Sequence, residues 1–305
     1  MRLLVLGAGA VGGYFGGRLA ASGADITFLV RPARARALAE HGLAITSPLG
    51  DLRVRVATIT EATGSFDAVL LACKAYDLAS ATEAIEPAVG PETLILPLLN
   101  GLRHLDDLDA RFGRVRVLGG LCDLGVRLGP AGEVEHLNRL ERLVLGAREA
   151  GQVEGAAALH AALAMGGFAP GLSADIPRDM WEKFVFLAAY AGVTTLMRAP
   201  IGTILAADDG MALACELLGE CIGVATESGF APRPPALERA VATLTDRNSR
   251  GTASMFRDMA RGGRTEHAHV IGDMLARARA LGVAAPLLRV CLANLQAYDA
   301  ERGRA

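Results

Sequence analysis

The chain has 305 residues, of which 51% are hydrophobic and 21% charged, so it can bury a large core and is too apolar for a disordered chain. A formal net charge of −2 gives no electrostatic footprint for nucleic acid, and the length suggests two domains at roughly 100–200 residues each. The five cysteines (Cys73, Cys122, Cys215, Cys221 and Cys291) are odd in number and lack C-x-x-C spacing, which argues against a zinc site or a disulfide framework. Residues 1–6 are apolar but too soon interrupted by glycine for a signal peptide, and no apolar run reaches the roughly 20 residues of a membrane span. The expectation is a cytoplasmic protein with reduced thiols, no bound metal, and neither membrane nor nucleic acid as partner.

Residues 2–6 (RLLVL) read as a buried parallel strand, 7–13 as a turn, 14–22 as a helix stopped by Gly23, and 25–30 as a second strand. The alternation continues with a helix at 34–40, a strand at 67–73, a helix at 77–88, a strand at 93–98, a helix at 105–112 and a strand at 115–118. Two short runs in 133–145 suit a hairpin closing the sheet. This order predicts a doubly wound, mostly parallel α/β sheet. A helix follows at 152–165 and a linker at 168–177, broken by Pro170, Gly171 and Pro177. Helices are then expected at 178–198, 202–228, 235–245, 265–281 and 286–302, with the domain boundary near residue 172: 1–172 α/β, 173–305 all-α.

Gly7, Ala8, Gly9, Ala10, Val11 and Gly12 spell G-x-G-x-x-G between the first strand and the first helix. In that context the pattern is the Rossmann dinucleotide fingerprint: a tight turn at Gly7, backbone approach to a pyrophosphate at Gly9, and close helix packing at Gly12. Where an NAD enzyme usually carries a carboxylate after the second strand, this chain has Arg31, then Arg34 and Arg36. A guanidinium at Arg31 suits a ribose 2′-phosphate and favours NADPH/NADP, whereas Arg34 and Arg36 read more readily as solvated helix residues.

Lys74 and Asn100 follow two of the expected strands, where ligands of open α/β sheets bind. Lys74 reads equally as a solvated lysine, and Asn100 equally as the first residue of an Asn-Gly turn. Lys183, in Trp181-Glu182-Lys183, is the second of only two lysines in a chain that otherwise writes its cations as arginine. Unlike arginine, a lysine can give up a proton near neutral pH. Residues 249–266 form a polar, glycine-broken stretch in which Ser254, Arg257, Asp258 and Glu266 are candidates, although a surface loop is the simpler reading.

The chain resembles the ketopantoate reductase family (2-dehydropantoate 2-reductases) from residue 1 to about 290. The likeness is carried by GAGAVGGYFGGRLA (7–20), Arg31, CKAYD (73–77), LLNGL (98–102), MWEKF (180–184), SMFRDMARGGRTE (254–266) and LGVAAP (281–286). The resemblance implies a Rossmann domain followed by an all-helical domain of the 6-phosphogluconate-dehydrogenase type, with the active site between them. It implies NADPH-dependent reduction of ketopantoate to pantoate in pantothenate biosynthesis. By the same resemblance Lys183 is the catalytic acid, Glu266 its carboxylate partner near substrate and cofactor, Ser254 a substrate ligand, Lys74 and Asn100 ligands of substrate and cofactor, and Arg31 the phosphate reader. Family members typically carry asparagines four and eight residues after the lysine; here those positions are Leu187 and Ala191, while Thr194, the next polar position, is retained as a substrate-side candidate. That departure points to a more apolar 2-keto acid. A relative of different specificity or a non-catalytic NADPH sensor are the alternatives, and the apolar helix faces leave a homodimer open.

Overall fold

A computed structural model describes residues 1–304. The wholly buried run LLVL forms β1 (Leu3–Leu6), and the glycine turn leads into α1 (Ala10–Ala21). Next come β2 (Ile26–Leu29), α2 (Pro32–His41), β3 (Leu43–Thr46), β4 (Leu52–Val54), β5 (Ala57–Ile59) and β6 (Ala68–Leu71). Beyond these lie α3 (Leu78–Ile85), β7 (Leu94–Pro97), α4 (Arg103–Phe112), β8 (Gly119–Leu128), β9 (Val134–Gly146), α5 (Val153–Ala164) and β10 (Gly171–Ser173).

Five strands form a parallel sheet in the order β5-β2-β1-β6-β7. Leu6 pairs with both Leu29 and Leu71, so β1, β2 and β6 end level with one another. The chain leaves β1 toward β2 on one side and later returns to β6 on the other, which puts the topological switch point at the carboxyl end of β1.

A second sheet is built around β9, which runs antiparallel to β8. Its opposite edge is shared, in parallel, by β3 at its start and β10 at its end. α1 is glycine-rich because both sheets press on it. A side chain at Gly16 would sit 2.6 Å from the Phe28 ring, and one at Gly17 2.8 Å from Leu43. Tyr14 and Phe15 on the same helix are fully buried, each contributing on the order of 1.5–3 kcal/mol of burial. The Tyr14 hydroxyl donates to Glu141 Oε1 at 2.5 Å, fastening α1 to β9.

Several expectations need correction. Residues 133–145 are not a hairpin of their own but part of the single strand β9, whose hairpin partner is β8. The strand expected at 115–118 is a 3-10 turn at Arg114–Arg116, with Val117 alone bridging to Ile95; Val115 is exposed, so nothing holds it in a sheet. β10 lies inside the expected linker, and the compact units divide after Pro177. One unit comprises Met1–Leu99 and His104–Pro177; the other comprises Asn100–Arg103 and the chain from Arg178 onward.

The second unit is helical: the body of α6 (Ile176–Met197), then α7 (Ile201–Ile204), α8 (Gly210–Glu227), α9 (Pro234–Leu244), α10 (Ser254–Ala260), α11 (Ile271–Leu281) and α12 (Pro286–Arg302). The expected helix over 202–228 is interrupted because the chain folds back so tightly at Gly210 that a Cβ there would lie 1.8 Å from the Ile204 carbonyl oxygen. The helix expected from 265 starts only at Ile271, and 254–260, expected as a loop, is helical. Glu220 of α8 accepts both the Leu287 and Leu288 amides at 2.8 Å, capping α12 just after Pro286. Among the described residues, no helix is long and apolar enough to cross a membrane.

Candidate active site

Three expected residues or loops share one edge of the first unit's parallel sheet. The fingerprint follows β1, Arg31 follows β2, and Lys74 stands three residues beyond β6. Gly7 takes a left-handed φ of +87° and donates its amide to Leu29 O at 2.9 Å, making the sharp exit from the strand. A Cβ at Gly12 would lie 2.3 Å from the Gly7 carbonyl oxygen, so only glycine lets α1 begin there. At Gly9, by contrast, an added Cβ would meet nothing within 4 Å. Gly9 also caps α1 with no side-chain hydrogen bond, and the first turn carries no acidic residue. The loop therefore fits a dinucleotide pyrophosphate, which the free amides of Gly9, Ala10 and Val11 would hold.

The side chain of Arg31 is 82% exposed, with Nη2 standing 3.8 Å from Asp77 Oδ2. It has the freedom to close on a phosphate beside β2. Arg34 is a residue that sequence reasoning undervalued. Its Nη2 donates to Ala8 O at 2.9 Å, and its Nε is buried without a hydrogen-bond partner. Burial pushes the guanidinium pKa down. Arg34 thus ties α2 to the fingerprint loop and fixes the Ala8–Gly9 peptide plane, whereas Arg36 is exposed as expected. Lys74 is half-buried and opens a turn closed by the Asp77 amide on Lys74 O at 2.9 Å.

In the second unit, Lys183 is half-buried on α6, between buried Trp181 and Phe184. Trp181 stacks on Phe230 with centroids 5.6 Å apart and carries Arg277 over its ring. The neighbouring Glu182 is engaged by Arg233, whose Nε lies 2.6 Å from Glu182 Oε1. Burial alone would raise the Glu182 carboxyl, but the Arg233 hydrogen bonds and charge outweigh it and hold the group below its ordinary range. This pairing anchors the turn of helix that carries Lys183.

Asn100 belongs by its packing to this helical unit. Gly101 beside it has φ +81°, and a Cβ there would lie 2.4 Å from His269 O and 3.8 Å from the Phe184 ring. The Asn100-Gly101 turn therefore sits against both the lysine-bearing turn of α6 and the segment after Glu266. Glu266 is buried, 7% exposed, and its carbonyl accepts the His269 and Val270 amides at 3.1 Å. Tyr298 pins the same segment, its hydroxyl lying 2.9 Å from Gly263 O. Ser254 is half-buried at the start of α10. Thr194 departs from its expected role: it is fully buried, and its hydroxyl is turned onto Tyr190 O at 2.7 Å, so it serves the helix rather than a ligand.

Two further side chains were missed or passed over in the sequence. Tyr190 lies two turns beyond Lys183, and its hydroxyl approaches the backbone at Gly251, where a Cβ would stand 2.5 Å away. Arg257, one turn into α10, interacts electrostatically with Tyr190. Heptad spacing from Lys183 was the available signal for Tyr190; the tertiary contact has no local signature.

The comparisons agree with this architecture. The chain matches the family described as ketopantoate reductase PanE/ApbA over residues 3–150, and its C-terminal counterpart over residues 175–299. It is 40% identical to the uncharacterized oxidoreductase YkpB of Bacillus subtilis (strain 168), covering 99% of this chain and 100% of that one. A solved 2-dehydropantoate 2-reductase from Geobacter metallireducens GS-15 is 30% identical, with a TM-score of 0.87 over 97% of this chain and 99% of that one. D-mandelate dehydrogenase, solved with NADH and anilino(oxo)acetate, shares the fold at a TM-score of 0.90 and 20% identity, over 99% of this chain and 100% of that one. With both family regions matched and the sheet, fingerprint loop and helical unit in place, the chain belongs to the ketopantoate reductase family of pyridine-nucleotide-dependent oxidoreductases.

Proposed function

We propose that the protein is an NADPH-dependent reductase that converts a 2-keto acid to its 2-hydroxy acid, with Lys183 as the general acid. The observation that carries this reading is Lys183 itself. It is one of two lysines in the chain and stands half-buried on α6, in the same unit as Ser254 and buried Glu266. A dinucleotide held on the fingerprint loop by Gly9, Ala10 and Val11 would supply a hydride to the ketone carbon. As that C–H bond forms, the carbonyl π pair moves onto oxygen, and the Lys183 ammonium gives its proton to that oxygen. Lys183 then regains a proton from solvent. Glu266 orients the ammonium and a substrate or cofactor hydroxyl, and Ser254 hydrogen-bonds the substrate carboxylate. Lys74 and Asn100 hold the cofactor and the polar end of the substrate. Exposed Arg31 supports NADPH over NADH, because a guanidinium gains an ion pair from the 2′-phosphate and none from a 2′-hydroxyl.

Ketopantoate is the reference substrate, since relatives carry the name 2-dehydropantoate 2-reductase. Leu187 and Ala191 favour a second reading, reduction of a more apolar 2-keto acid in the same site. The test is NADPH oxidation with a panel of 2-keto acids that includes ketopantoate, run beside the same assay with NADH. Lys183→Ala is expected to lower kcat by about 10²–10⁴-fold, the usual contribution of a general acid, while NADPH binding persists. A wild-type protein that binds NADPH but reduces no keto acid would instead be a sensor of the cofactor.

A further inference from the structure

Over the two turns that follow Lys183, its face of α6 is apolar or aromatic. Leu187 lies one turn on, and Tyr190 two turns on, within about 20° of the Lys183 direction. Ala191 is fully buried and Leu187 half-buried. Phe186 stacks on Tyr190 with ring centroids 5.2 Å apart and planes 19° apart, giving that face a rigid aromatic wall. Neither Leu187 nor Phe186 has a polar atom with which to satisfy a substrate hydroxyl. A hydroxylated side chain laid on this wall would lose its water hydrogen bonds without replacement, which disfavours it.

At the Tyr190 end of the wall stands Arg257. It is half-buried, and burial lowers its pKa, yet it remains a cation at any physiological pH. Its Nη1 donates to Thr252 O at 2.5 Å, and among the described residues no carboxylate stands within ion-pair distance of it. Asp258 and Arg261 act on it only electrostatically, with opposite signs. Most of the five guanidinium donors are therefore uncommitted on a partly desolvated side chain, in a fork that matches a carboxylate. Ser254 is three residues earlier in α10, on the same side of that helix.

We infer that the substrate is a 2-keto acid with an apolar side chain, its carboxylate paired to Arg257 beside Tyr190 and its side chain laid on Phe186 and Leu187. This rests on the reductase reading above and narrows it to branched aliphatic or aryl 2-keto acids.

The experiment is calorimetric binding of ketoisocaproate, phenylglyoxylate and ketopantoate to the protein saturated with NADP⁺, which cannot deliver hydride. At least one apolar acid should bind ten-fold or more tighter than ketopantoate. Arg257→Gln should weaken the tight acid by about 10–100-fold, the range for a hydrogen bond to a charged group, with NADP⁺ affinity unchanged. Leu187→Asn should shift preference back toward ketopantoate. The inference is overturned if ketopantoate binds tightest, if none of the acids binds, or if Arg257→Gln binds like wild type. The wild-type ranking needs no variant, so a misfolded Arg257→Gln does not blunt the test. Tight apolar binding without turnover in the NADPH assay would sink the reductase reading and keep only the pairing of an apolar acid with Arg257 and the wall. Efficient ketopantoate turnover with weak apolar binding would do the reverse.

Discussion

Under the proposed function, the strand ends of the first unit and the α6 face of the second solve recognition in opposite ways. At the strand ends the work falls to backbone: Gly7 turns, Gly9 leaves room, Gly12 permits contact, and arginines supply charge around them. On α6 it falls to side chains, with Lys183 on a wall of Leu187, Phe186 and Tyr190. Backbone recognition has few sequence solutions, because a single Cβ in the wrong place closes it. Side-chain recognition can be rewritten one residue at a time without disturbing the helix.

The sharpest way to break this comparison is at Gly12. A Cβ there meets the Gly7 carbonyl oxygen at 2.3 Å, and neither backbone can yield without opening the turn. Gly12→Val should lower NADPH affinity by at least about 100-fold and cost about 1–3 kcal/mol of stability through overpacking. Fluorescence titration and denaturant unfolding check the two parts; retention of wild-type affinity would show that the loop is not backbone-limited.

Arg34 offers a smaller effect that refines the same contrast, since it is a side chain serving the backbone loop. Arg34→Ala removes the bond to Ala8 O and should weaken NADPH and NADH alike by about 10-fold, the worth of one hydrogen bond to a charged group. Loss confined to NADPH would mean instead that Arg34 reads the 2′-phosphate.

The smallest effect concerns the anchor beside Lys183. Arg233 holds the folded-state pKa of Glu182 below its unfolded value. The pair's stabilisation is therefore fully present above the unfolded carboxylate value, about 4.3, and is lost as pH falls through the folded value. Because Arg233 is partly exposed, the contribution should stay within about 1 kcal/mol. The thermal midpoints of wild type and Glu182→Gln should differ slightly near pH 7 and converge below about pH 4. A gap that widens in acid would reverse the assignment.

Much of this was legible before any coordinates. β1, β2, β6 and β7 are short apolar runs between turn signals, and burial on both faces leaves that signature in sequence. β4 and β5 were invisible because LRV and ATI are half-exposed three-residue pieces whose strand state comes from their partners. β8 opens on two glycines and bends at Gly125, so its local preference argues against the strand that pairing with β9 imposes. At the site, the glycine fingerprint, Arg31 and Lys183 were readable because local pattern or rarity marks them. Tyr190 was not, since its neighbour Gly251 lies far along the chain; Arg34 and Arg257 were named but read as surface residues, because their contacts with Ala8 and Tyr190 are tertiary. Thr194 misled for the complementary reason: a hydroxyl on the right face bonded its own helix.

The two-sided use of β9 bears on how the chain matures during synthesis. Through β10, the last pairing of the first unit waits for residues 171–173, and the Ile176 side chain must still arrive to pack under Gly119 and Gly146. Until then a nascent chain of about 150 residues carries β9 with part of one edge unpaired, a template for another chain. The few residues leading into α6 thus act as a late fastener. The ribosome exposes an unfinished sheet for as long as it takes to translate α5 and the turn behind it, and release of a fold-competent nucleotide-binding unit coincides with the first appearance of the helix that bears Lys183.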